Sequence, residues 1–173
     1  MNWLKGSSIS EIEYMPIEPK EPVIIEEPVE KLGEKLIRIA DALTLLNTDI
    51  TPLDDKVKGG VKDEVGCVEA VCEVINKVMP FPRLTYTPHL VQELKKNPRF
   101  APTLDFNEAH IIVCATGTGN GTMRGHCGII GRGDEIISNN SSNGRWEYNY
   151  TIDAWKARFR TKGGMPILLF KVV

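Results

Sequence analysis

No run of apolar residues approaches the ~18–20 that a membrane-spanning helix requires. The opening residues, Met1-Asn2-Trp3-Leu4-Lys5-Gly6, also lack the apolar core of a cleaved signal peptide. The expectation is therefore synthesis in the cytoplasm, with no membrane span. Net charge is small, 21 Lys and Arg against 23 Asp and Glu, which weighs against a dedicated nucleic-acid binder. Cysteine is scarce, four residues in 173, and no pair has the C-x-x-C spacing of a zinc or redox motif. Cys67 and Cys72 lie five apart, awkward for one metal on a helix, so neither metal nor cofactor is expected. The glycine-rich stretch Gly117-Thr118-Gly119-Asn120-Gly121 lacks the Gly-Lys-Ser/Thr ending of a phosphate loop and leads into a strand pattern, which excludes nucleotide binding by that route.

What is present is an ordinary globular composition, 42% apolar and 25% charged. The length suits one domain with an arm. Charge is unevenly spread: residues 1–66 carry 8 Lys and Arg against 14 Asp and Glu, and residues 120–173 carry 8 against 4. Residues 11–30 hold seven Glu and four Pro. Self-repulsion and lost backbone donors predict an extended acidic arm over 1–30.

Beyond the arm, Leu32, Leu36, Ile39, Leu43 and Leu46 follow the helical period and predict a helix over 31–46, then a loop to 65. Val68, Val71, Cys72, Ile75 and Val78 predict a second helix over 67–79, closed by Pro80. Thr87-Pro88 opens a third, to Lys96. The period then shortens. Residues 109–115 and 126–130 read as strands, Gly131-Arg132-Gly133-Asp134 as a turn, and 135–139 as the returning strand of a hairpin. Residues 151–160 look helical and 166–173 form a last strand. Helices followed by a small antiparallel sheet predict an α+β fold.

Cys67 follows Gly66 at the start of the second helix. The positive end of the helix dipole and the unpaired N–H groups there favour a thiolate, the nucleophilic form. Cys72, Cys114 and Cys127 lie inside apolar patterns and read as packing. A thiol nucleophile needs a base, and His126 is the candidate. It sits on a predicted strand between Gly125 and Gly128, which leave room for a helix end or a substrate. His89 and His110 read as polar residues at element ends. A third group must accept the second imidazole N–H. The returning strand supplies Ser138, Asn139 and Asn140: a turn closing around Arg132-Gly133 sets Asn139 opposite His126, and a three-residue turn sets Asn140 there. Asn139 is favoured. Trp146, Tyr148, Tyr150 and Trp155, with Arg145 and Arg158, form either a substrate wall or core packing, and packing is the preferred reading.

The stretches Gly66-Cys67-Val68-Glu69-Ala70-Val71, Gly125-His126-Cys127-Gly128-Ile129-Ile130-Gly131, Ser138-Asn139-Asn140-Ser141 and Asn149-Tyr150-Thr151, with Trp155, resemble the NlpC-like and CHAP cysteine peptidases and amidases of the papain-like superfamily, in particular small phage-type members. The resemblance spans 66–173, with 31–65 as a helical lead-in and loop. It implies a cell-wall hydrolase that cuts an amide of the peptidoglycan stem peptide, with Cys67 as nucleophile, His126 as base and a polar residue at 138–140 as orienter. Such an enzyme reaches the wall after release or in a virion. The alternative is a non-catalytic wall-binding or virion structural module on the same fold. A third reading is an acyltransferase or deamidase of that superfamily.

Overall fold

A computed structural model describes residues 30–46, 50, 66–121 and 123–173. The expected acidic arm and nearly all of the loop at 47–65 lie outside the described residues. Among those described, no helix is long and apolar enough to cross a membrane.

Three helices come first: α1 (Leu32–Leu45), α2 (Cys67–Asn76) and α3 (Thr87–Lys96). Each matches an expected element, although α2 ends a turn earlier than its apolar period predicts. The strands are β1 (Phe100–Thr103), β2 (Ile111–Cys114), β3 (His126–Ile130), β4 (Glu135–Asn139), β5 (Trp146–Thr151) and β6 (Leu168–Val172). They form one sheet in the order β1-β6-β2-β3-β4-β5, antiparallel at every pair. The fold is therefore α+β, as expected. The apolar pattern announces neither β1 nor β5. β1 contains Pro102 and lies at one edge, where a missing donor is tolerated. β5 alternates too weakly to stand out. The helix expected over 151–160 begins as α4 (Ile152–Trp155) and widens into a π-helical segment (Lys156–Lys162).

The sheet is covered on both faces, which is why β2 and β3 read as nearly continuous apolar runs and why four of the five β4 residues are buried. Alternate side chains go to opposite sides. Cys127, Ile129 and Ile137 pack under α1, α2 and α3. Cys114, Ile130 and Ile136 pack against Trp155 and Phe159 on the other face. Eight of the ten α2 residues are buried, so this helix is the centre of its layer. At the outer edge, Trp146 Nε1 donates to the Ala40 carbonyl at 2.9 Å and Tyr148 bonds Asp41, tying β5 to α1.

Two glycines set the geometry of the hairpin. Gly131 N donates to the Glu135 carbonyl at 2.8 Å across a three-residue turn, with Gly133 at φ 71°, the left-handed region glycine favours. Gly125 precedes β3 where a Cβ would lie 2.3 Å from the Cys114 carbonyl and 2.4 Å from the Thr116 nitrogen. The space beside Gly125 is therefore filled by the fold's own backbone. Gly125→Ala should lower stability by about 1–3 kcal/mol, the usual cost of overpacking. Denaturant unfolding should show a lower midpoint with an unchanged slope.

Candidate active site

Cys67 is the first residue of α2, and Gly66 before it supplies no side-chain cap. The first backbone bond of the helix runs from Ala70 N to the Gly66 carbonyl, so the N–H groups of Cys67 and Val68 precede the intrahelical ladder. α2 docks on β3 and brings this end to the point where β3 begins. Cys67 is 8% exposed and His126 9%, so both are nearly enclosed but open to one cleft.

The Cys67 thiol is held well below the ordinary thiol range. The first cause is a hydrogen bond from the Cys127 thiol. Burial opposes it, and the charge and hydrogen bond of His126, with the Cys127 backbone N–H, reinforce it. Cys127 moves the other way, chiefly through burial and then through its bond to Cys67, so it remains a thiol and donates. The apolar pattern around Cys127 predicts inert packing, and here the structure differs. The strand places Cys127 on the α2 face, directly below the helix start.

His126 projects to the opposite face of β3. Its Nε2 lies 3.1 Å from Ser138 Oγ on β4. Asn139 and Asn140, the expected orienters, are not at the ring. Asn139 alternates to the α2 face with Ile137 and is buried there. Asn140 bonds Glu147 through its amide nitrogen, and its carbonyl accepts from Ser142 N at 2.8 Å. The three-residue turn does set Asn140 opposite His126, but the imidazole leans along the sheet to the diagonal neighbour two residues earlier. A further residue missed in the sequence is Asn149, whose Nδ2 donates to Ser138 Oγ at 3.2 Å.

The ring is enclosed by aromatics. Trp155 and Phe159 stack on it with centroids at 5.4 and 5.8 Å, and Tyr150 meets it edge-on at 5.8 Å. The four aromatics grouped in the sequence thus divide. Trp146 and Tyr148 hold α1, Trp155 is core beside the imidazole, and Tyr150 lines the cleft. His89 is exposed and packs on Tyr86. His110 abuts Gly33 and accepts from Val172 N at 3.2 Å, on a different part of the molecule.

The cleft has a volume of about 520 Å³. Cys67 and His126 stand at its base, and its walls carry Thr85, Thr87, Thr116 and Ser141 hydroxyls. Arg124 and Arg158 also line it, and no acidic side chain does among the described residues. Arg158 lies over the Tyr150 and Phe159 rings at 5.8 and 5.5 Å. Thr87 Oγ1 accepts from Thr116 N, and Thr116 Oγ1 accepts from Gly125 N, at 2.9 and 2.8 Å. That knot ties α3 to both ends of the loop over the cleft. Among the described residues no group of His, Cys, Asp and Glu could hold a metal ion.

No protein-family model matches the chain, and no curated protein matches it in sequence. Among solved structures, a chain of the type VI native effector–immunity complex Tae3–Tai3 from Ralstonia pickettii superposes with a TM-score of 0.50 at 14% identity. The match covers 80% of this chain and 99% of that one. At this identity the likeness shows the fold, which agrees with the resemblance read from the motifs around Cys67 and His126.

The four thiols should separate by pH. Burial pushes Cys72 up to about 12 and Cys114 to about 11, so both stay protonated through pH ~9. A lowered Cys67 is ionised at lower pH than a free thiol. Iodoacetamide near pH ~6.5 should therefore label Cys67 first, and peptide mass spectrometry should find Cys72 and Cys114 unmodified.

Proposed function

We propose that this chain is a thiol hydrolase that cuts an amide bond in the stem peptide of bacterial cell-wall peptidoglycan. One observation carries the reading: a thiol held below its ordinary range at a helix start, beside an imidazole whose far nitrogen is already bonded, at the base of a cleft. The likeness to a fold found in a type VI effector–immunity complex supports it. With Nε2 on Ser138, Nδ1 is the nitrogen left to take the Cys67 proton. The thiolate attacks the amide carbonyl. The N–H groups at the start of α2, outside the helix ladder, are the donors offered to the oxyanion. The Nδ1 proton passes to the leaving amine, giving a thioester and a free amine. Water, deprotonated by His126, then releases the acid and restores the thiol. The two cleft arginines, with no acid beside them among the described residues, favour an anionic peptide, which a stem peptide is.

The neighbour's description favours a second reading of the setting, an effector held by an immunity protein rather than a phage lysin. The chemistry would be the same.

Purified protein incubated with peptidoglycan should release fragments whose new amine and carboxyl ends identify the bond by mass spectrometry. Cys67→Ala should abolish release while the circular dichroism spectrum is kept, and His126→Ala should slow it by about 10²–10⁴-fold or more. An active Cys67→Ala protein overturns the hydrolase. Tight wall binding with no new ends would favour the non-catalytic module.

A further inference from the structure

β4 and β5 pair with Ile136 opposite Tyr150 and Ile137 opposite Tyr148. Asn149 falls between those pairs and has no strand partner of its own, so it is the extra residue of a β-bulge. A bulge turns one side chain off the normal alternation, and bulges concentrate beside active sites for that reason. Here Asn149 and Tyr150, consecutive in the chain, both approach His126: Tyr150 meets the ring itself and Asn149 meets Ser138. The residue of β5 paired directly with Ser138 is Glu147, whose carboxylate instead bonds Asn140.

We infer that Asn149 is a positioning residue, acting through the Ser138 hydroxyl to hold His126 in the tautomer that can accept a thiol proton. The inference rests on the Cys67–His126 dyad proposed above. A serine hydroxyl has one proton and two lone pairs. The Asn149 amide occupies one lone pair at 3.2 Å. The other is then in reach of Nε2, 3.1 Å away, to accept a proton carried there. That leaves Nδ1 bare, and Nδ1 takes the Cys67 proton. If Ser138 rotated and donated to Nε2, a neutral ring would carry its proton on Nδ1 and the thiol would have no base. The Asn149 N–H fixes Oγ beside the ring, so that when the imidazole takes the thiol proton and carries one on each nitrogen, a lone pair is in place for the Nε2 proton. Throughout the reaction the mobile proton moves from Sγ to Nδ1 and on to the leaving amine. The Nε2 proton stays on its bond to Ser138, and Ser138 and Asn149 neither gain nor lose one. Among the described residues, the other titratable and charged groups around the ring are Cys67 on α2, Cys114 on β2, Tyr150 on β5, Arg158 on the π-helical segment and Arg124 before β3.

The test reads Cys67 alkylation by iodoacetamide against pH on the full chain, alongside the rate of peptidoglycan release. Asn149→Ala should raise the pH of half-maximal alkylation and slow release about tenfold, the worth of one hydrogen bond. Asn149→Asp can accept the Ser138 proton and still leave Oγ accepting from Nε2. It should keep the alkylation midpoint at or below the wild-type value. Ser138→Ala should shift it as Asn149→Ala does, and the double variant should be no worse than Ser138→Ala alone, because the two act in series. Additive losses, or a midpoint that no Asn149 variant moves while melting temperature falls, would overturn the positioning role. If wild-type Cys67 itself alkylates only in the ordinary thiol range, the dyad fails instead, and the two failures are distinguished.

Discussion

The seating of α2 on β3 is the constraint on which everything else depends. β3 contributes to both faces within two consecutive residues, Cys127 beneath the helix and His126 on the other side. A helix lying fully over the sheet could reach only the first. α2 instead begins where β3 begins, so its first side chain sits at the sheet's margin and meets both. Close approach also sets β3 itself in place: Gly125 leaves no room for a Cβ beside Cys114 and Thr116, and at Gly128 a Cβ would lie 2.7 Å from the Ile137 carbonyl of β4. The alignment needs an almost wholly apolar α2, because sliding by one turn would move Cys67 about 5.4 Å, beyond reach of any hydrogen bond.

The electrostatics follow from having a neutral orienter. A carboxylate behind the imidazole would favour the ion pair by its charge. Ser138 offers only a lone pair, so the thiolate draws its support from elsewhere. The Cys127 thiol donates to it, the N–H groups at the helix start favour its charge, and stacked aromatic faces lie against the histidine. Cys127 is therefore part of the site because it stays protonated. The same desolvation that makes it a poor nucleophile makes it a dependable donor.

Much of this was legible in the sequence, and the parts that were not share a cause. The helix start at Cys67 and the hairpin follow from local patterns, an apolar period, a Gly-rich turn and a Pro-terminated helix, but the turn closes over three residues rather than the two around Arg132-Gly133 that favoured Asn139. The diagonal step from His126 to Ser138 does not follow from such patterns. Turn length gives which residues stand opposite, and a ring reaching two residues along the neighbouring strand defeats that rule. The bulge at Asn149 has no local signature, since Tyr148-Asn149-Tyr150 reads like any half-polar strand. β1, with a proline at an edge, and the widening of α4 into a π-helical segment were likewise settled by tertiary packing, which overrides local propensity.

That widened segment has a consequence for the cleft. π-helical turns are rare and concentrate at functional sites. Here the segment starts directly after Trp155 and carries Arg158 and Phe159, both of which line the cleft. Phe159 closes over the imidazole beside Trp155, at 4.6 Å between centroids, and Arg158 lies over the Tyr150 and Phe159 rings. The aromatic wall therefore does two things at once. It covers the back of the histidine, where Ser138 bonds, and it holds a guanidinium at the front, on the wall of the cleft. Separating those tasks requires the polar orienter to come from another element. β4 supplies it as Ser138, and the bulged strand β5 steadies it through Asn149.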